Sequence, residues 1–348
     1  MSLYEDLPPG AQAAYSELFE AAQHAELHRS VASLHGSFHV KDIKNKSYVY
    51  YAYRDAISAK VRQIYIAPDS AAIDALKRKA AQAPQADLAR LAGAAIVHGC
   101  TPAIPRHFRI IRQLADAQFF RAGGILVGAH AYIAMGNMLS IRWREAARTQ
   151  DIDFAHSGSK GNVALALPAD VQIDVHGAID SLAMGFLPSL SLKGASSGTY
   201  ISAREPDLRL DFLTPWRGSE KSVVEPALNI VLQPLKFLDY LIEKPTQAAL
   251  LSPQGGVIVN IPDPARYALH KLIVASERPL RERAKAAKDI TQSASVISYC
   301  LDQVPHLLRD AWQDLQSRGP GWRKRVRAPL EELQRRYPDV AAKFTKLE

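Results

Sequence analysis

The chain is poor in cysteine and in long apolar runs, and it lacks a complete phosphate-loop motif. Its two cysteines, Cys100 and Cys300, stand far apart with no His or Cys neighbour at ligand spacing. That excludes a disulfide framework and a zinc site of the usual spacing, and it leaves buried free thiols as the expectation. No run approaches the ~18 apolar residues of a membrane span. The acidic Glu5 and Asp6 are unlike the basic lead of a signal peptide. A membrane partner is therefore excluded from the expectation, and the cytoplasm is the expected compartment. The segment Ser157-Gly158-Ser159-Lys160-Gly161-Asn162 is glycine-rich, but it lacks the Gly-x-x-x-x-Gly-Lys-Ser/Thr order of a phosphate loop. It is expected as a flexible connection, with Lys160 as a phosphate contact.

With 348 residues, 47% of them apolar, the chain is long enough for two or three domains and a sizeable core. Its net charge of +8 points to an anionic partner. The excess is not spread evenly. Residues 265–348 hold 17 Lys/Arg against 10 Asp/Glu, whereas residues 1–60 hold 6 against 7. A nucleic acid or nucleotide phosphates are expected to dock in the C-terminal part.

Residues 123–155 organise the reading. An apolar run, Ile125-Leu126-Val127, meets Gly128, and a segment rich in Ala, Met and aromatics follows, ending in Asp151-Ile152-Asp153. A buried strand turning sharply into a helix reads this way, because glycine tolerates the turn and the close approach of a ligand. The turn would offer backbone N–H groups and a positive helix end to an anion. On a strand the period of two sends Asp151 and Asp153 to one face and Ile152 to the other. Two such carboxylates suit a divalent cation that keeps positions open for phosphates. Each half alone is ordinary, a turn glycine and a loop Asp-x-Asp.

Together, Leu126-Val127-Gly128-Ala129 and Asp151-Ile152-Asp153-Phe154 resemble the DNA polymerase β-like nucleotidyltransferase superfamily. Ala129 stands where that superfamily has Gly or Ser, and the spacing between the halves is longer than its commonest form. The resemblance implies an α+β fold with a mixed-sheet nucleotidyltransferase core, an N-terminal helix and β-meander, and a C-terminal helical domain. It also implies Mg2+ held by Asp151, Asp153 and a third strand-borne aspartate. Asp211 and Asp174 are the candidates. Asp211 is preferred because residues 199–202 form a plausible hairpin partner for its strand, with Glu205-Pro206-Asp207 at the turn, whereas Asp174 reads as a surface or capping residue. Gly128 and Ala129 are expected to bind the nucleotide through backbone N–H groups. His130 is the candidate replacement for the missing hydroxyl, or else a core or surface histidine.

The rest of the chain divides, on this reading, into residues 1–92, 93–262 and 263–348. Residues 8–34 carry apolar positions at helical spacing, and helices are expected over 70–80, after Pro84 and over 107–122. Residues 37–41, 47–53 and 61–66 alternate as a three-strand meander. The meander resembles a small sheet of some bacterial transposases and uncharacterised nucleotidyltransferase-like proteins. Tyr48, Tyr50, Arg62 and Lys41 could stack on bases or touch phosphates there, or simply cover a sheet face. Residues 228–242 are expected as an apolar helix and 255–259 as a strand, with helices over 265–278 and 284–301. The pattern around Lys271 and Lys288-Asp289 resembles abortive-infection and toxin-type nucleotidyltransferases, which implies that all three residues serve the triphosphate site. In the basic segment 318–327, Trp322 could stack a base, or the segment is a soluble tail.

The function expected is transfer of a nucleotide monophosphate from an NTP to an RNA end or a protein hydroxyl, in a toxin or phage-defence setting with a neutralising partner protein. The alternative is a non-catalytic nucleic-acid-binding protein with a vestigial core.

Overall fold

The structure, a computed structural model, describes residues 2–27, 36–43, 46–54, 61–71, 73–74, 84–145, 149–158, 173–190, 196–218 and 221–347. The proposed phosphate contact at Lys160 and most of the helix expected over 70–80 lie outside them.

At the centre of the described residues is a mixed sheet of seven strands. Strand β5 (Ile125–Val127) runs antiparallel to β7 (Asp151–Ala155), and β7 runs parallel to β10 (Arg209–Pro215). The far edge of β10 is shared. Its first half pairs with β9 (Ser196–Ser202) and its second half with β12 (Ile230–Leu235); β8 (Phe186–Leu190) and β11 (Val223–Glu225) complete the sheet. Gly198 stands where β9 gives way to β12. A Cβ there would meet the Phe212 carbonyl oxygen and the Gln233 nitrogen at 2.5 and 2.6 Å, so only a residue without one lets the two strands share an edge.

Strict alternation makes the sheet two-faced. Ile152, Phe154, Leu210 and Phe212 are fully buried, while Asp151, Asp153, Arg209 and Asp211 project from the other side. Phe154 and Phe212 stack at 5.1 Å, and Phe119 meets both edge-on at 5.6 and 5.9 Å. Phe119 follows α3 (Pro105–Asp116), which ends where Gln118 turns left-handed, short of the expected residue 122. Behind β5 lies a hairpin, β13 (Pro245–Ser252) and β14 (Gly255–Pro262), of which β14 is buried throughout and β13 from Ala248 on. From β14, Asn260 donates to the Phe120 and Gly124 carbonyls at 2.7 and 2.8 Å and so fixes the approach to β5.

Strand β1 (Tyr4–Asp6) pairs antiparallel with β6 (Ile141–Trp143), and the N-terminal helix α1 (Pro9–Leu27) packs on α2 (Pro84–His98) and on the hairpin, where the Ala249 N–H donates to the Tyr15 hydroxyl. The expected meander is present as β2 (Gly36–Ile43), β3 (Lys46–Arg54) and β4 (Val61–Pro68), all antiparallel. The chain closes with five helices among the described residues: α7 (Pro264–Glu277), α8 (Arg283–Gln303), α9 (Pro305–Ser317), α10 (Pro320–Arg336) and α11 (Pro338–Thr345). Both cysteines are free and buried. No helix among the described residues is long and apolar enough to cross a membrane.

Residues 228–242 depart from the helix that their leucine spacing suggests. Asn229 takes a left-handed turn, β12 follows, Phe237 is again left-handed, and only α6 (Leu238–Ile242) is helical. Pro234 accounts for the difference, since inside a helix it would remove a hydrogen bond and clash with the preceding turn. Near the end of β12 it is tolerated.

Candidate active site

The elbow forms because Gly128 adopts φ +67°, a conformation that favours glycine, as β5 turns into α4 (Gly128–Met138). A Cβ at Gly128 would overlap the Asp153 carboxylate. Absence of a side chain at residue 128 is therefore what lets the helix N-terminus approach that acid. The Tyr267 hydroxyl on α7 lies 3.1 Å from both the Gly128 carbonyl oxygen and Gln292 Oε1, and it joins the elbow to α7 and α8.

Register brings the acids together. Asp153 sits directly beside Asp211, and Asp151 beside Arg209, across the parallel pair β7–β10. Asp211 accepts from the Thr199 hydroxyl at 2.6 Å, and Arg209 Nε lies 2.9 and 3.0 Å from its two oxygens. Burial, then Asp211, then Asp151 push the Asp153 carboxyl up to about 7, against the opposing pull of Lys271 and Arg209. Asp174 lies elsewhere. It caps α5 (Val175–Ser181), accepting from the Gly177 N–H and from the Asn229 amide, each at 2.8 Å.

The basic side comes from the helices. Lys271 Nζ is 2.8 Å from one oxygen of Asp289, and Arg278 Nε is 2.9 Å from the other. Asp289 is only 2% exposed, so it holds Lys271 in place rather than meeting a ligand itself. Burial and the neighbouring Lys271 lower the Lys288 pKa, and Lys288 in turn feels Asp289, Glu145 and Asp153. His130 is turned inward, 1% exposed, with Nε2 2.9 Å from Nδ1 of the equally buried His107. Burial, with His107 and Lys288 nearby, lowers its pKa to about 3. It is neutral at ordinary pH and brings no positive charge to a triphosphate.

The donor set on the carboxylate face is oxygen only, which fits a hard divalent cation. Among the described residues no three His, Cys, Asp or Glu side chains already close on a shared point; Asp211 gives its oxygens to Arg209 and Thr199. Gln292 Nε2 and His130 Nδ1 are buried near the elbow with no hydrogen-bond partner among the described residues.

Trp322 and the meander tyrosines, the other candidate contacts, make packing contacts within the fold. Trp322 packs edge-on against Phe237 at 4.8 Å and beside Tyr240, with the Arg318 guanidinium over its ring. Trp322 is partly buried and packs against the core. Tyr48 and Tyr50 lean on Tyr65 at 6.1 and 5.6 Å, with Lys41 over the Tyr50 ring, as tyrosines covering a sheet face do. The side chain of Arg62 lies outside the described residues.

The sequence reasoning missed Arg209, Thr199, Tyr267 and Arg278. Arg209 was within reach, because the period of two that aligns Asp151 with Asp153 also aligns Arg209 with Asp211. Tyr267 lies one helical turn before Lys271, on the same face.

A family model described as Nucleotidyltransferase matches residues 106–317. That span contains the elbow, the three strand aspartates, Lys271, Lys288 and Asp289, and it stops before α10. A solved structure of an antigenic nucleotidyltransferase-like protein from Paracoccidioides brasiliensis is similar at 14% sequence identity and a TM-score of 0.35, covering 70% of this chain and 95% of that one. So loose a likeness carries no weight here. No curated protein matches the chain.

Proposed function

Because the chain belongs to the nucleotidyltransferase family, whose model spans more than half of it, and is therefore a transferase, we propose that it moves a nucleotide monophosphate from an NTP to a hydroxyl on an RNA end or a protein. The observation that carries this reading is the register that sets Asp153 beside Asp211, opposite the elbow at Gly128, inside the family-matched span.

Asp151 and Asp153, joined by Asp211, would hold magnesium, which supplies Lewis acidity toward the triphosphate. The first N–H groups of α4, at Gly128 and Ala129, have no partner within the helix and can donate to phosphate oxygens. Lys271, fixed by Asp289, and Lys288 offset the charge that grows on the leaving pyrophosphate. An Asp211 carboxylate oxygen takes the proton of the acceptor hydroxyl as the hydroxyl oxygen bonds to the α-phosphorus and the bond from that phosphorus to the α–β bridging oxygen breaks, releasing pyrophosphate. Tyr267 keeps the elbow in place through the Gly128 carbonyl.

Incubation with each α-labelled NTP, with and without Mg2+, in the presence of RNA and of protein, tests the reading and identifies the acceptor. Label should pass to one acceptor only with metal, and Asp151→Ala, Asp153→Ala or Asp211→Ala should each lower transfer by ~10³-fold or more while circular dichroism stays unchanged. Transfer that survives in the Asp153→Ala protein would refute the assignment.

A further inference from the structure

Arg209 occupies a position that a purely structural salt bridge would not need. It sits on the carboxylate face, in register with Asp151, two residues before Asp211 on the same strand. Its Nε lies within 3.0 Å of both Asp211 oxygens. Those oxygens face the same side of the sheet as Asp151 and Asp153, so they are the ones that a cation shared by the three acids would need. A guanidinium cannot lose its charge at ordinary pH, and it cannot share those lone pairs with a divalent ion without strong repulsion. The side chain of Arg209 is 48% exposed whereas that of Asp211 is 15% exposed, so the arginine is the partner with room to leave. Thr199 meanwhile keeps its 2.6 Å hydrogen bond to Asp211 Oδ1 and preserves the carboxylate's orientation.

We propose that Arg209 is a positioning residue that serves as the internal counter-cation of Asp211 and must release it when a divalent cation enters, so that Arg209 sets the metal affinity of the carboxylate face. The proposal rests on the metal reading given above. It adds that the chain's own cation competes for that site. Arg209 keeps Asp211 aligned beside Asp153 before metal arrives, and it weakens metal binding in return.

Isothermal titration of Mn2+ into the full chain at pH 8, without nucleotide, reads the competition independently of turnover. Arg209→Gln removes the competing charge and should tighten Mn2+ binding about tenfold, a change of ~1.4 kcal/mol. Arg209→Lys keeps a charge but loses the planar fork that matches two oxygens, so its affinity should fall between those of the wild type and the Gln protein. If the Gln protein does not fold, the Lys protein against wild type decides. Unchanged or weaker Mn2+ affinity in the folded variants would overturn the role of Arg209. Absence of saturable binding in all the proteins, wild type included, would overturn the metal site itself and this proposal with it.

Discussion

The two faces of the β7–β10 pair share one backbone and one register, yet they are built on opposite terms. One face stacks Phe154 on Phe212 with Phe119 edge-on and carries no charge. The other crowds Asp151, Asp153 and Asp211 around a single strand arginine, and Asp153 responds with a carboxyl raised to about 7. Packing stabilises the first face. Like-charge repulsion and partial burial destabilise the second, and strain of that kind collects at functional sites. The aromatic face thus holds in place a carboxylate arrangement that would not persist by itself.

The contrast can be broken in three ways. Phe212→Ala opens a cavity under the site and should cost about 3–5 kcal/mol in chemical denaturation; a loss below about 1 kcal/mol would mean that the aromatic face does not carry the sheet. Asp153→Asn should act in the opposite direction. The wild-type folded state keeps a proton on Asp153 up to about pH 7, whereas the unfolded chain gives it up near the ordinary carboxylate range. Raising the pH through that interval therefore removes stability from the wild type and not from the Asn protein. Metal-free thermal melts should show no advantage for Asp153→Asn near pH 4 and about 4 kcal/mol by pH 8; parallel curves would contradict the raised pKa. The smallest effect belongs to Asp174, off this face. Asp174→Ala should lose about 1 kcal/mol of stability as a helix cap and keep full NMP transfer, and a collapse of transfer would move the third carboxylate from Asp211 to Asp174.

What was legible in the sequence is what depends on neighbours along the chain. The period of two in Asp151-Ile152-Asp153-Phe154 and Leu210-Asp211-Phe212 gave the faces, and the apolar run into Gly128 gave the elbow. The hairpin of β9 with β10 followed from the same local pattern and its turn residues. What stayed hidden depends on contacts made across the fold. His130 looked available as the third residue of a helix, and only the approach of His107 from α3 shows that it points inward. Lys271 and Asp289 could be named, but Arg278, which shares the buried carboxylate with the lysine, could not. The leucines of residues 228–242 imitate a helix, and only Pro234 argued against it. Trp322 looked like a basic-tail aromatic, and its packing on Phe237 depends on where α6 and α10 meet.

The most direct measurement is anomalous scattering from crystals grown with Mn2+ and a non-hydrolysable NTP analogue. The account predicts a manganese peak bounded by Asp151 and Asp153, with the triphosphate against the N–H groups of Gly128 and Ala129. Manganese and nucleotide bound away from that face would contradict it.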